Sequence, residues 1–423
     1  MSDSADVDYP DSSSGPRTRL ITAGFILTWL VNFAQYLVFY LLVTTMALYA
    51  VQQFAASDAA SGFASSAFVV GATLARLVAG HFVDAFGRRR VLLISVFVVV
   101  AACAGYFVDV SFAFLIVIRI AHGIGYAFVS TATMTIVQAI IPPTRRAEGT
   151  GYFALGSTLA TALGPALGLM LVESFTYAML FWVSLGVAVV GLVLGLVLAQ
   201  HPKERKAARD IAETSRPPFS LQSIVDPAVL PIGMFMLLVG TSYAGILTYL
   251  LSYSEHRDLT TGASFFFLAY AAAMLVMRFI LGRLQDRHGD NSVVYFGLVA
   301  FTAALVVVAF ADQDWQVVVA GALTGLGYGT LMPASQAIAV RLVSPLRLGT
   351  GISTLLLLTD VGVGLGPVAL GSLVSATSYG TMYLMLAGVV VVAAVFYFFV
   401  HGRRDIAKTG YAADKPVTVM SEN

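Results

Sequence analysis

Four ionisable side chains of this sequence stand inside long apolar runs: Arg76, Arg119, Arg278 and Asp360. A charge in such a run is costly unless it meets a partner, a cavity or an interface. Arginine keeps its proton, so it can bind an anion or tune a neighbour but cannot carry a proton. Asp360 is the only acidic residue deep within a run. A carboxylate there is either a proton carrier, holding a proton in one environment and releasing it in another, or a structural group bonded to a neighbouring helix. His122 follows Arg119 by three residues and shares its helical face, placing an imidazole beside the guanidinium.

Arg76 also opens a pattern. It reads Arg76-x3-Gly80-x3-Asp84-x2-Gly87, followed at once by Arg88, Arg89 and Arg90, and it returns as Arg278, Gly282, Asp286 and Gly289 at a constant offset of 202 residues. At the same offset Gly123, Gly125 and Tyr126 match Gly325, Gly327 and Tyr328, Pro143 and Arg145 match Pro345 and Arg347, and Gly164-Pro165 matches Gly366-Pro367. One half of the chain is a diverged copy of the other. Gly80 lets a second helix approach closely, and Asp84 can accept hydrogen bonds from the free amides that start a neighbouring helix. Asp290-Asn291-Ser292 replaces the arginine cluster in the second copy, so the second hinge is expected to be the weaker.

The elements that must hold these residues are membrane helices. The chain is 58% hydrophobic and 11% charged, with a mean hydropathy of +0.85, against about 25% charge in a soluble domain. Runs near 20–50, 63–84, 90–108, 111–140, 147–172, 178–199, 228–252, 263–284, 292–310, 315–340, 348–374 and 379–400 are each about long enough to cross a bilayer. The implied organisation is a disordered tail at 1–19, a six-helix bundle at 20–199, a charged, Pro217-Pro218-containing linker at 200–227, a second bundle at 228–400 and a tail at 401–423. Of 24 Lys and Arg, three lie within spans and only Arg257 falls in an outer loop when both termini are placed in the cytoplasm. A net charge of +1 gives no reason to expect nucleic acid, and the single Cys103 excludes disulfides and a cysteine-built metal site. No histidine spacing suits a metal, no cofactor motif is present, and the Gly-x-Gly pairs lie within spans rather than after a strand.

The hinge resembles the signature loop between helices two and three of the major facilitator superfamily of secondary transporters. That resemblance implies an all-α membrane fold of twelve helices in two pseudo-symmetric six-helix bundles. It implies a gating role for Arg76, Gly80, Asp84, Gly87, Arg88 and Asp286, with Asp84 meeting the start of span eleven, Leu348-Gly349-Thr350-Gly351, to hold the cytoplasmic side closed. Arg119-x3-Gly123-x-Gly125 is similar to the family's second motif, which implies proton coupling for Arg119; His122, where the family often carries glutamine, and Asp360, deep within span eleven, are the further coupling candidates from their own chemistry. The Gly164-Pro165 element, with its partner Gly366-Pro367, resembles an exporter-associated helix kink; its usual terminal Gly-Gly is reduced to Gly168-Leu169. Spans one, four, seven and ten line the pathway in this family, making Asn32, Gln35, Tyr36, Tyr126, Gln138, Tyr243, Tyr328 and Gln336 the candidate substrate contacts. Asn32, Gln35 and Tyr36 are expected on one face. The implied protein is a monomeric, non-enzymatic exporter of a small organic solute in the inner membrane of a bacterial or archaeal cell, exchanging it for protons. The alternatives are an uptake symporter for a sugar or small metabolite and, more remotely, a membrane sensor or scaffold that has lost transport.

Overall fold

The computed structural model describes residues 20–43, 45–200 and 224–409. The tail expected at 1–19, residues 410–423 of the tail expected at 401–423 and most of the linker expected at 200–227 therefore lie outside the described residues. Among the described residues, twelve helices are long: α1 (Ala23–Val43), α3 (Asp58–Phe86), α4 (Arg88–Gly105), α5 (Phe112–Ile140), α6 (Arg146–Ser174), α7 (Tyr177–Gln200), α8 (Leu230–His256), α9 (Thr260–His288), α10 (Asp290–Ala309), α11 (Asp314–Leu342), α12 (Leu348–Ala376) and α13 (Tyr379–Tyr397). A short α2 (Met46–Phe54) follows α1, and α14 (Asp405–Lys408) follows a π turn at Phe398–Gly402. Among the described residues, eleven helices are long and apolar enough to cross a membrane. The long helix outside that set is α4, whose eighteen residues begin with three arginines.

Helix boundaries repeat at the 202-residue offset. α3, α5 and α6 begin and end 202 residues before α9, α11 and α12, and the 3₁₀ turn Pro143–Arg145 does so before Pro345–Arg347. Packing repeats as well: α3 lies on α5 as α9 lies on α11, and α1 lies on α6 as α8 lies on α12. Each half keeps its own apolar core, one built around Val38, Leu92 and Val129, the other around Phe235, Phe301 and Leu331. The halves meet through α3 against α12 and α6 against α9, which the same offset exchanges.

The first span departs from expectation. Instead of one run over 20–50, α1 ends at Val43 and α2 restarts at Met46, whereas the corresponding α8 is continuous to His256, 202 residues beyond the end of α2. Thr45 returns its hydroxyl to the Leu41 and Leu42 carbonyls at 3.1 and 3.3 Å, a local bond that competes with the helix ladder. α6 runs helically through Pro165. Its Gly164 lies against Tyr40 and its Gly168 against the Leu41 carbonyl, so these glycines serve close packing on α1.

Glycine likewise permits the α3–α5 crossing. A Cβ on Gly123 would fall 2.0 Å from the Phe68 carbonyl oxygen, and in the second half one on Gly325 would fall 2.4 Å from that of Tyr270. Backbone cannot yield as a flexible side chain can. Gly123→Ala is therefore expected to destabilise the protein by roughly 1–3 kcal/mol, seen as a lowered melting temperature in detergent. Gly186→Ala, where nothing lies within 4 Å, should leave it unchanged. Equal melting temperatures for the two variants would contradict this packing.

Candidate functional site

The first-turn amides of α6 and α12 have no side-chain cap from their own N-cap residues, Arg145 and Arg347. Each is capped from the opposite half. Asp84, near the end of α3, accepts from Gly349 N at 2.8 Å, Thr350 N at 2.7 Å and the Thr350 hydroxyl at 2.7 Å. Asp286, near the end of α9, accepts from Ala147 N at 3.1 Å and Glu148 N at 2.9 Å. An aspartate on a helix N-terminus satisfies orphan donors and meets the positive end of the helix dipole. Close approach is again a glycine property: a Cβ on Gly80 would lie 2.6 Å from Thr350 Cα, and one on Gly282 would lie 2.6 Å from Glu148 Cα. Gly87 and Gly289 turn the chain after each aspartate with φ of +88° and +87°, a region that side chains disfavour. Arg88 then opens α4.

The second hinge is not the weaker one in contacts, contrary to the expectation from its missing arginines. Arg341, from the end of α11, bonds Asp286 at 2.6 Å and Asp290 at 2.9 Å. Arg283 and Arg145 both hold Glu148, at 2.8 and 2.7 Å, and His401 reaches Asp290 at 2.9 Å. The basic partners arrive from the 3₁₀ turn before α6, from α9, α11 and the π turn rather than from the hinge loop. Asp290, read from sequence as a lost arginine, accepts from Arg341 and His401.

Eight residues before Asp84, Arg76 is buried and forms an ion pair with Asp360 of α12. Its Nη1 donates to Ser130 Oγ at 3.2 Å, its carbonyl accepts from Ser353 Oγ at 2.6 Å, and its guanidinium lies 5.9 Å from the Tyr126 ring centre. Asp360 keeps 30% of its side chain exposed, so the pair is reachable. Asp360 thus joins the two halves through Arg76. Arg119 is fully buried elsewhere, donating to the Ala64 and Ser65 carbonyls of α3 at 3.0 and 2.9 Å and lying over Phe68 at 5.3 Å. His122 meets the Tyr106 hydroxyl at 3.0 Å.

The cavity candidates separate. Tyr36, Tyr126, Phe39 and Phe68 form one aromatic cluster, with ring centres 4.7–5.5 Å apart. Tyr243 stacks on Tyr328 at 3.8 Å, with Tyr270 beyond at 6.1 Å. Tyr40 is within electrostatic reach of Tyr270 and Tyr328, and Tyr36 of Tyr328, across the halves. Asn32 accepts from Thr133 of α5 at 3.1 Å, but Gln35 turns to α7, its amide 3.1 Å from where a Gly191 Cβ would sit. The single expected face is thus divided, because α1 packs on α5, α6 and α7 together and a 100° step separates Gln35 from Tyr36. Gln138 also points away, donating to Thr150 of α6 at 2.7 Å. Gln336 is half-buried on α11. Sequence reasoning missed Tyr270, Ser130 and Ser353. The one available signal was position: Ser353 follows Gly349 by a helical turn, and Tyr270 is the 202-residue counterpart of Phe68.

The sequence profile of the Major Facilitator Superfamily matches residues 28–289 and again 260–420. The chain belongs to the Major Facilitator Superfamily. It is a multi-pass membrane protein of a transporter family. It is 26% identical over 376 residues to an uncharacterised MFS-type transporter of Salmonella typhimurium, covering 86% of this chain and 92% of that one. It is 27% identical over 390 residues to the multidrug resistance protein MdtG of Dickeya zeae, covering 89% and 94%. Its fold is similar to that of a human organic anion transporter, at 18% identity, a TM-score of 0.72 and coverage of 88% and 98%. It is similar also to that of a proton:xylose symporter, at 13% identity, a TM-score of 0.72 and coverage of 92% and 96%.

Asp84→Asn should isolate the capping bond. An amide offers one acceptor where the carboxylate offers two, and turns an N–H₂ toward the amides of α12. Each charge-assisted bond is worth about 1.5–3 kcal/mol, so the joint should weaken by about tenfold or more. The expected result is impaired transport at near-normal abundance and insertion. Normal transport by a well-expressed variant would remove Asp84 from any gate.

Proposed function

We propose that the chain exports a small organic solute in exchange for protons by alternating access, with the hinge end as its cytoplasmic gate. The observation that carries this reading is the Arg76–Asp360 ion pair between the halves. It lies on the same helix pair, α3 and α12, as the Asp84 cap on Gly349 and Thr350. A proton on Asp360 removes its attraction for Arg76 and so loosens one of the two joints that hold α3 to α12. The partial exposure of Asp360 gives a proton a route. Arg119, tied to main-chain carbonyls, holds α5 on α3 and positions the Arg76 side of the site. The tyrosines of the two clusters suit an uncharged or amphipathic solute, because phenols offer broad apolar faces with a hydroxyl at the edge. Export is the sense suggested by MdtG, named a multidrug resistance protein and aligned over most of its length.

The test is uphill transport in everted membrane vesicles. Vesicles made acidic inside should accumulate a dye or drug if the wild-type protein is an antiporter, and should not if it is an uptake symporter. Asp360→Asn is expected to abolish this accumulation while sparing solute binding and gradient-independent exchange. If Asp360→Asn vesicles accumulate solute as the wild type does, Asp360 is structural.

A further inference from the structure

Arg278 is the 202-residue counterpart of Arg76, and the fold gives it the same place: on α9, eight residues before Asp286, against α6 of the other half. Its chemical surroundings differ. Thr158 stands where Asp360 would pair, Met332 where Ser130 accepts, and Gly151 where Ser353 reaches the arginine carbonyl. The register holds in space, since a Cβ on Gly151 would lie 3.3 Å from the Arg278 carbonyl. Arg278 is only 6% exposed, and its Nε and Nη1 have no hydrogen-bond partner among the described residues. The carboxylates of the same two helices are committed elsewhere, Glu148 to Arg145 and Arg283, Asp286 to Arg341. Thr158 turns its hydroxyl to the Ala154 carbonyl of its own helix at 3.0 Å.

A cavity of about 20 Å³ is lined by Arg278 together with Gly151, Met274, Met277, Thr330 and Pro333. One water needs about 10–15 Å³ on this measure, so the space admits a monatomic ion or the end of a carboxylate. A buried cation lined mainly by apolar groups requires a counter-charge. From this we infer that Arg278 is an anion-binding site for a single small monovalent anion, a halide or a carboxylate end, between α6, α9 and α11. The anion would balance Arg278 as Asp360 balances Arg76 in the other half. The first half carries its counter-charge covalently; the second borrows one.

The experiment is thermal unfolding of the purified full-length protein in detergent at constant ionic strength, with sodium isethionate, which has no carboxylate, replaced stepwise by sodium chloride or sodium acetate. Wild type should gain a saturable shift of roughly 2–4 °C in at least one of the two salts. A chloride response marks an inorganic counter-ion, and an acetate response without one for chloride marks the carboxylate of a solute. Arg278→Gln should not respond. Thr158→Asp supplies the missing carboxylate in the Asp360 register, so it should unfold in isethionate no earlier than wild type does and should also lose the response, which keeps the test open if Arg278→Gln fails to fold. No shift in wild type, or an undiminished shift in a folded Thr158→Asp, overturns the site. The readout requires no transport, so its failure is separate from failure of the proposed antiport.

Discussion

Two helices of this protein begin without caps of their own, and much of the architecture follows from how they are completed. The opening amides of α6 and α12 receive carboxylates from the opposite half, Asp286 and Asp84. Unmade bonds of this kind are expensive away from water. The halves therefore cannot part at this end without exposing amides and carboxylates together. The glycines complete the same constraint: with a side chain at Gly80 or Gly282 the backbones could not come near enough for the aspartates to reach. The turn glycines Gly87 and Gly289 then redirect the chain immediately after each aspartate.

The two joints obey one geometry and use different chemistry. At the first, Asp84 meets two amides and the Thr350 hydroxyl, and the nearby charge pair is Arg76 with Asp360. At the second, Glu148 replaces the threonine, and Asp286, Asp290, Arg283 and Arg341 form an extended set of pairs. Many mutually bonded charges make a joint that no single protonation removes. A joint that rests on one carboxylate and one arginine is more responsive. In the proposed cycle this asymmetry within a symmetric frame assigns the proton to the α3–α12 side.

Deep in the bundle, polar groups divide between those that hold helices and those that face the gap. Arg119 gives its Nε and Nη2 to main-chain carbonyls and lies over the Phe68 ring, with no carboxylate among its partners in the described residues. The tyrosines bring large ring area with few polar atoms to satisfy. The Tyr243–Tyr328 stack and the Tyr36–Tyr126 contact give each half such a cluster of rings.

The sequence by itself determined the membrane class and the 202-residue repeat, because these depend on composition and spacing; the partner of Asp84 was legible only through the resemblance of its hinge to the family's signature loop. Most helix boundaries followed as well, the break after Val43 excepted, since hydrophobic length and glycine or proline punctuation act locally. Only the tertiary structure decided where the buried charges go. Asp360 and Arg76 are 284 positions apart, and nothing local distinguishes a carboxylate paired across the halves from one that faces a cavity. It also divided Asn32, Gln35 and Tyr36 between neighbours, because helical periodicity defines a direction but not which helix lies there. The second hinge was misjudged for the same reason: its cations include Arg145 and Arg341, far from the loop in sequence, and a charge network belongs to the packed helices rather than to any one segment.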